Sequence, residues 1–178
     1  MMSNVSWMKD EYRCLVLMRH AKSSYPRGFP DHIADHDRRL APRGVREASL
    51  AGGWLRTNVP AIEKVLCSTA MRARETLTHS GIEAPVRYTE RLYRADPDTV
   101  IKEIKAISDE VTTSLIVSHE PTISAVALAL TGSGTNNDAA QRISTKFPTS
   151  GIAVLNVAGR WQHLELESAE LVAFHVPR

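Results

Sequence analysis

The chain has 178 residues, of which 43% are hydrophobic, and it carries a formal net charge of +2. This length predicts one domain with a substantial core, and the small net charge excludes the broad basic surface typical of proteins that bind nucleic acid or anionic membranes. No apolar segment approaches the roughly 20 residues that cross a bilayer, and the charged stretch 9–13 is unlike a secretory signal. We therefore expect a cytoplasmic protein with no nucleic-acid or membrane partner.

Short apolar runs of strand length recur along the chain. Four are typical of buried strands in a mostly parallel sheet, and a fifth is expected near a sheet edge. In chain order they cover residues 14–18, 64–67, 114–117, 151–157 and, at the edge, 171–176. Cys14 and Cys67 fall in the first two runs, so we expect buried, reduced thiols and no disulfide.

Helical patterns separate these runs. Small and apolar side chains share one helical face after Pro42, and the same holds after Ala70. Asp96 and Pro97 have the residue types of a helix N-cap and first turn. Pro121 opens a further apolar stripe of helical spacing. The four patterns predict helices whose apolar faces pack in the core.

Strands alternating with helices predict an α/β fold, a three-layer sandwich with a mostly parallel central sheet and helices on both faces. A single domain is expected over residues 14–178, with 1–13 as an N-terminal extension. Two stretches lack periodicity. Residues 19–42 form a long loop of the kind that is usually functional, and residues 131–137 are predicted to be a flexible surface loop.

Histidine and arginine residues follow three of the predicted strands. Arg19 and His20 come directly after the first strand, and Arg72 begins the helix after the second. His119 lies between a later strand and the helix at Pro121. Because ligands bind beyond the carboxyl ends of the strands in sheets of this class, we expect all four side chains at one rim.

These residue types point to chemistry on phosphate. A neutral histidine can attack phosphorus and carry the phosphoryl group covalently. A neighbouring arginine disfavours the charged imidazolium, and its planar fork binds phosphoryl oxygens in pairs. Phosphoryl transfer depends mainly on positioning and cationic stabilisation, which two arginines, a second imidazole and a helix N-terminus can supply without a metal ion.

Five short motifs occur in a specific order between residues 15 and 157. They are LVLMRHAKS at 15–23, RLAPRG at 39–44, STAMRA at 68–73, LIVSHEP at 115–121 and PTSG at 148–151. Together they resemble the motifs of the histidine phosphatase superfamily, which has the phosphoglycerate mutase-like fold. The resemblance is greatest to its short SixA-type branch of phosphohistidine phosphatases.

The resemblance implies a phosphatase with four catalytic residues. His20 would be the nucleophile that becomes phosphorylated, and Arg19 and Arg72 would clamp the phosphoryl oxygens. His119 would supply a second imidazole. No metal ion or other cofactor is implied. The implied partner is a protein that carries phosphohistidine or, alternatively, a small phosphate ester, and a monomer is compatible with these features.

Three positions depart from the usual motifs of the family. Ala21 replaces a glycine, a change also at home in the SixA-type branch, and Glu120 stands where asparagine is common. We expect Glu120 to point away from bound phosphate or to orient a neighbouring group, because a carboxylate beside phosphate would repel it. Larger relatives carry a glutamate general acid after a leucine like Leu92, where this chain has Tyr93 and Arg94.

The missing acid favours a phosphoramidate substrate. An alcohol leaving a phosphate ester needs a proton from the enzyme, whereas a phosphohistidine protonated on its other ring nitrogen departs as neutral imidazole. Asp35 or Asp37 is the alternative acid, although we expect both to be solvated loop charges. Ser23 is a further candidate for the pocket wall.

Other mechanisms and functions stay open as alternatives. A cysteine phosphatase needs one more residue between its cysteine and arginine than the four that separate Cys67 from Arg72. A metal hydrolase would use crowded residues of a loop without a helical frame, where a solvated polar loop is the commoner outcome: Asp31, His32, Asp35, His36 and Asp37. A non-hydrolytic phosphocarrier or phosphoprotein-binding module is an alternative of a different class.

Overall fold

A central sheet of six strands forms the middle layer of the computed structural model, which describes residues 12–25 and 33–178. In chain order the strands are β1 (Tyr12–Arg19), β2 (Lys64–Ser68), β3 (Val86–Thr89), β4 (Thr113–Ser118), β5 (Ile152–Ala158) and β6 (Ala169–His175). Across the sheet the order is β3-β2-β4-β1-β5-β6. The first four strands in this order are parallel, and β5 is antiparallel to both of its neighbours. The predicted mostly parallel sheet is confirmed, with the fifth predicted run at one edge.

Helices cover both faces of the sheet. They are α1 (Pro42–Asn58), α2 (Met71–Ser80), α3 (Pro97–Lys105), α4 (Thr122–Leu130) and α5 (Asn137–Thr145). Val16 and Met18 pack with α1 and α2 on one face, whereas Leu15 and Leu17 pack with the other three helices on the opposite face. Because β1 is buried on both sides, it is apolar without alternation. The predicted three-layer sandwich is confirmed. Within the described part of the chain, no helix is both long and apolar enough to span a membrane.

The first strand begins earlier than predicted. It includes Tyr12 and Arg13, which we had assigned to the N-terminal extension. Arg13 is buried, and its guanidinium donates to the backbone carbonyls of Gly159 and Asp109. These bonds give hydrogen-bond partners to a charged side chain in a buried strand position that arginine rarely occupies. Residues 1–11 lie outside the described residues, and the division into extension and domain stays a prediction.

Two elements, β3 and α5, were not predicted from the sequence. Strand β3 is short and lies at a sheet edge, where Arg87 and Tyr88 are exposed, so it lacks the apolar run of a buried strand. Helix α5 follows directly on the stretch predicted as a loop. The side-chain oxygen of Asn136 accepts a hydrogen bond from the Ala139 backbone nitrogen (3.1 Å) and caps this helix. A polar run that resembles a flexible loop thus contains a helix start.

The N-terminus of α1 packs closely against the backbone that follows β1. Ala41 donates its backbone N–H to the Lys22 carbonyl (2.9 Å), and Gly44 passes over the same carbonyl. A Cβ atom built on Gly44 would lie 2.0 Å from the Lys22 oxygen, which is far inside van der Waals contact. The glycine therefore permits this close approach.

Gly44→Ala should lower the free energy of unfolding by about 1 to 3 kcal/mol, because the added methyl group displaces backbone and no flexible side chain can yield. Gly53→Ala in the same helix is the matched control, since a Cβ at Gly53 meets no atom within 4 Å. That control should raise stability by up to about 1 kcal/mol through helix propensity. Urea denaturation of both variants measures the difference, and equal stabilities would contradict the close approach.

Candidate active site

Neighbouring parallel strands bring the predicted residues to one rim of the sheet. Arg19 is the last residue of β1 and pairs with Ser118, the last residue of β4. His20 and His119 follow these residues, and their ring centroids lie 5.1 Å apart. Arg72 is the second residue of α2, which begins just after the adjacent strand β2. The charges of both arginines act on the His20 ring, so the structure brings all four side chains together.

The His20 ring is held in one orientation and in its neutral form. Nδ1 lies 2.7 Å from the carbonyl oxygen of Ala21. Because a carbonyl only accepts hydrogen bonds, Nδ1 carries the proton and the lone pair is on Nε2. Burial lowers the pKa of His20 from 6.5 to about 3, and the charges of His119, Arg72 and Arg19 act in the same direction. A neutral imidazole with a free Nε2 is the form that can act as a nucleophile.

Thr76 connects the loop after His20 to helix α2. Its hydroxyl accepts a hydrogen bond from the Ala21 backbone nitrogen (2.8 Å) and donates to the Arg72 carbonyl (2.6 Å). On the other side of the loop, Ser150 donates its backbone N–H to the His20 carbonyl (3.1 Å). Sequence reasoning missed Thr76, whose only signal is its spacing of four residues from Arg72 on the buried face of the helix.

Both arginines keep an unused donor. One terminal nitrogen of Arg19 donates to the Phe147 carbonyl (2.9 Å). Arg72 donates from its two terminal nitrogens to the carbonyl oxygen (2.7 Å) and the carboxylate (3.1 Å) of Asp35. The Nε atom of each arginine is buried and has no partner among the described residues. Buried N–H groups are rarely left unpaired, so these two donors fit an oxyanion bound between the guanidinium groups.

His119 is anchored through a residue that the motifs did not single out. Its Nε2 atom lies 2.7 Å from the Ser68 hydroxyl, which also accepts a hydrogen bond from the Ala70 backbone nitrogen (3.2 Å). With that bond accepted, the serine can donate its proton to Nε2, which places a proton on Nδ1. Nδ1 is buried and has no partner in the part of the chain that the structure describes. Burial, and next the charge of Arg72, lower the pKa of His119 to about 3.

Neither imidazole should titrate near neutral pH. With pKa values lowered from 6.5 to about 3, His20 and His119 stay neutral at pH 5. Their ring C2–H resonances, assigned by loss in the single alanine variants, should therefore not shift between pH 5 and 8 in an NMR titration. Both rings gain a proton on unfolding below pH 6.5, so these groups should make the protein less stable as the pH falls through that value. A midpoint near 6.5 for either resonance would contradict this electrostatic environment.

Asp35 is not the solvated loop charge that we expected. Its carboxylate accepts hydrogen bonds from the Tyr93 hydroxyl (2.7 Å), from Arg72, and from two nitrogens of Arg38 (3.0 and 3.1 Å). The bond from Tyr93, followed by those from the two arginines, holds the pKa of this carboxyl well below its usual range. The sequence expectation failed because the long loop forms a short 3-10 helix, Asp35–Asp37, against α2. An ionised Asp35 is a poor proton donor and instead orients Arg72.

The other residues considered in the long loop lie farther from this chemistry. Asp37 is exposed, and one of its carboxylate oxygens lies 3.6 Å from Nδ1 of His36. Ser23 is buried, and its hydroxyl accepts a hydrogen bond from Arg38 (2.8 Å), which in turn holds Asp35.

The thiol and metal alternatives gain no support from the described residues. Cys14 and Cys67 are free, buried thiols as predicted, and burial raises the pKa of Cys67 to about 12, so its reactive thiolate is strongly disfavoured. Asp31 and His32 lie outside the described residues. Among residues 12–25 and 33–178, no three histidine, cysteine, aspartate or glutamate side chains form a group suited to a metal ion.

Glu120 binds to the helix that follows it. Its two carboxylate oxygens accept hydrogen bonds from the backbone nitrogen and the hydroxyl of Ser124 (2.8 Å each), in the first turn of α4. This agrees with the expectation that Glu120 orients a neighbouring group. Glu120 also lines a cavity of about 440 Å³. The cavity is further lined by Asp35, Arg72, Tyr93, Arg94 and His119.

Comparisons with known proteins agree with this geometry. A family model of the histidine phosphatase superfamily (branch 1) matches residues 15–96. The solved structure of a candidate phosphohistidine phosphatase SixA from Nakamurella multipartitia is 39% identical, covers 93% of this chain and 96% of its own, and has a TM-score of 0.84. The chain belongs to the histidine phosphatase superfamily. It is of the SixA type, so the resemblance carried by the motifs and the predicted α/β fold are both confirmed.

Two further relatives extend this family assignment. A candidate phosphohistidine phosphatase SixA from Agrobacterium tumefaciens is 28% identical, covers 93% of this chain and 99% of its own, and has a TM-score of 0.73. Uncharacterized protein Rv1276c of Mycobacterium tuberculosis is 65% identical over 162 residues, which are 90% of this chain and 100% of that protein. Both proteins thus match nearly the whole chain.

Proposed function

We propose that this chain is a metal-independent phosphatase that acts through a covalent phosphohistidine on His20 and prefers phosphohistidine in a protein as its substrate. The hydrogen bond between His20 Nδ1 and the Ala21 carbonyl carries the proposal, because it leaves the Nε2 lone pair free in a ring that stays neutral. Membership of the histidine phosphatase superfamily supports phosphatase activity. The names of the SixA-type relatives support the preference for phosphohistidine.

In the first step, the Nε2 lone pair of His20 forms a bond to phosphorus. The bond from phosphorus to the leaving atom breaks, and its electron pair departs with the leaving group. Arg19 and Arg72 donate their unused Nε–H groups to the phosphoryl oxygens, where negative charge is spread in the transition state. The N-terminus of α2 beside Arg72 adds positive potential. In the tautomer that Ser68 favours, His119 carries a proton on Nδ1 and donates this N–H to the phosphoryl group.

In the second step, water attacks the phosphorus of the phosphohistidine. The bond from phosphorus to Nε2 breaks, its electron pair returns to Nε2, and the water proton passes to the phosphate product or to solvent. Nδ1–H stays bonded to the Ala21 carbonyl throughout, so His20 leaves as a neutral imidazole and needs no external acid. The original enzyme is restored.

The state of Asp35 supports a phosphoramidate substrate. An alcohol leaving group requires a proton donor. Asp35, the acid alternative that contacts Arg72 among the described residues, is ionised, and its carboxylate is fully engaged in hydrogen bonds. A phosphohistidine protonated on its second ring nitrogen requires no such donor. The chain should therefore cleave phosphorus–nitrogen bonds faster than bonds from phosphorus to an alkyl oxygen.

A substrate panel tests the proposal directly. Wild-type protein in excess chelator is given a protein that carries phosphohistidine, an aryl phosphate and a sugar phosphate, and free phosphate is measured over time. We expect many phosphates released per enzyme, with the highest kcat/KM for phosphohistidine. Release that requires added metal ions would contradict metal independence. Release that stops at one phosphate per chain would identify a phosphocarrier, and a preference for the sugar phosphate would identify a small-molecule phosphatase.

A further inference from the structure

The cavity beside His119 is where a leaving group would lie. Its lining includes Arg72 and His119 together with Tyr93, Glu120 and Pro121, but not His20. Because attacking and leaving atoms are roughly in line, a group that departs from phosphorus opposite His20 would leave toward this space. Its lining therefore acts on the leaving group more than on the phosphoryl oxygens.

Two acidic residues line the cavity, Asp35 and Glu120. Of these two, only Glu120 has a carboxylate that can accept further hydrogen bonds. The Asp35 carboxylate accepts four hydrogen bonds, two on each oxygen, which use all of its usual acceptor sites. Each oxygen of Glu120 accepts one bond, and both come from Ser124. Within the described part of the chain, one acceptor site on each Glu120 oxygen thus remains for a ligand.

Ser124 also fixes the direction of that carboxylate. A glutamate side chain has several rotatable bonds, and two hydrogen bonds to one residue restrict them. The negative charge of Glu120 reaches the phosphate site: burial lowers the pKa of Arg19, and Glu120 has the largest opposing effect. The carboxylate is therefore held in one orientation, and it lies close enough to act on a ligand between this cavity and the proposed phosphate site.

An imidazole leaving group needs such an acceptor. Departure from phosphorus is easiest when the second ring nitrogen carries a proton, and an adjacent carboxylate favours that protonated form. The nucleophile has the equivalent arrangement, since the Ala21 carbonyl holds the proton on Nδ1 of His20. Transfer from one imidazole to another is nearly symmetric, so a matching acceptor on the leaving side is chemically consistent.

We propose that the Glu120 carboxylate accepts a hydrogen bond from the ring N–H of a phosphohistidine substrate and thereby selects imidazole leaving groups over phosphate esters. This inference rests on the proposed function. As the bond from phosphorus to the substrate nitrogen breaks, its electron pair stays on that nitrogen, and the proton held by Glu120 stays on the other nitrogen. The product is neutral imidazole, and no proton passes to or from Glu120 in the step.

Two small probes separate this role from protein docking: phosphoimidazole, which has the leaving ring without a peptide, and 4-nitrophenyl phosphate, whose leaving group needs no proton. Glu120→Gln should lower kcat/KM for phosphoimidazole by about 10-fold to 100-fold, the usual range for loss of a charged hydrogen bond. The value for 4-nitrophenyl phosphate should stay within about twofold of wild type, since the phosphoryl contacts are unchanged. The ratio of the two kcat/KM values is the readout.

Matched variants distinguish recognition from helix capping. Ser124→Ala removes the hydroxyl that donates to Glu120 but keeps the backbone bond and the Glu120 charge, so it should lower the substrate ratio by less than Glu120→Gln does. Glu165→Gln changes an exposed glutamate in the connection between β5 and β6, at the rim of the sheet where β1 begins. Its kcat/KM values for both probes should match those of wild type. An equal loss with both probes in Glu120→Gln, or no loss with either, would overturn the proposal. If wild type turns over neither probe, the result would instead contradict the proposed function.

Discussion

Replacing His20 with alanine should abolish turnover, with kcat/KM reduced by at least about a thousandfold for every substrate of the panel, because the covalent nucleophile is removed. The same change should eliminate the phosphoenzyme. In rapid-quench mass spectrometry at neutral or alkaline pH, wild type should gain one phosphoryl group during turnover and the variant should gain none.

His79→Ala is the matched control for this prediction. His79 is an exposed histidine near the end of α2, away from the rim that carries His20. Its replacement should leave both turnover and phosphoenzyme at the wild-type level. A His20→Ala protein that is folded and still turns over the panel would end the assignment of the nucleophile.

Arg72→Lys should reduce kcat/KM by about 10² to 10³, although the positive charge is retained. A lysine carries its three donors on one nitrogen, so it cannot reach the carbonyl and carboxylate of Asp35 and a phosphate oxygen from the separate positions that the three guanidinium nitrogens of Arg72 occupy. The competitive inhibition constant of inorganic phosphate should rise as well, because the same donor binds the product.

Arg74→Lys tests whether the effect is specific to the site. Arg74 lies two residues farther along the same helix, is exposed, and donates to the Thr69 carbonyl (2.9 Å). We expect its kinetic constants to stay within about twofold of wild type, as for ordinary surface substitutions. Equal effects of the two substitutions would show that Arg72 acts through helix stability and not through phosphate.

The rim of the site was predictable because it depends on local sequence and on one general rule. His20 and His119 lie two residues beyond apolar runs, Arg72 lies at the start of the helix after another run, and the carboxyl ends of parallel strands meet at one edge. The order of three adjacent strands, β2-β4-β1, then converts positions far apart in the chain into neighbours. The role of each side chain remains a prediction that the variants above test.

The supporting contacts were not predictable in this way. Ser68 and Thr76 act through single hydroxyl groups, and serine and threonine are common enough that no pattern marks them. Asp35 was misjudged because its partners, Tyr93 and Arg72, come from segments 58 and 37 residues away. Such pairings depend on the final packing of a loop against a helix, which hydrophobic periodicity does not encode.

The Thr76 hydroxyl has a mechanical consequence. It is bonded both to the turn that carries His20 and to the first turn of the helix that carries Arg72. Thermal displacement of one segment is thereby transmitted to the other. The distance between the His20 ring and the Arg72 guanidinium can then stay nearly constant while the surrounding backbone fluctuates.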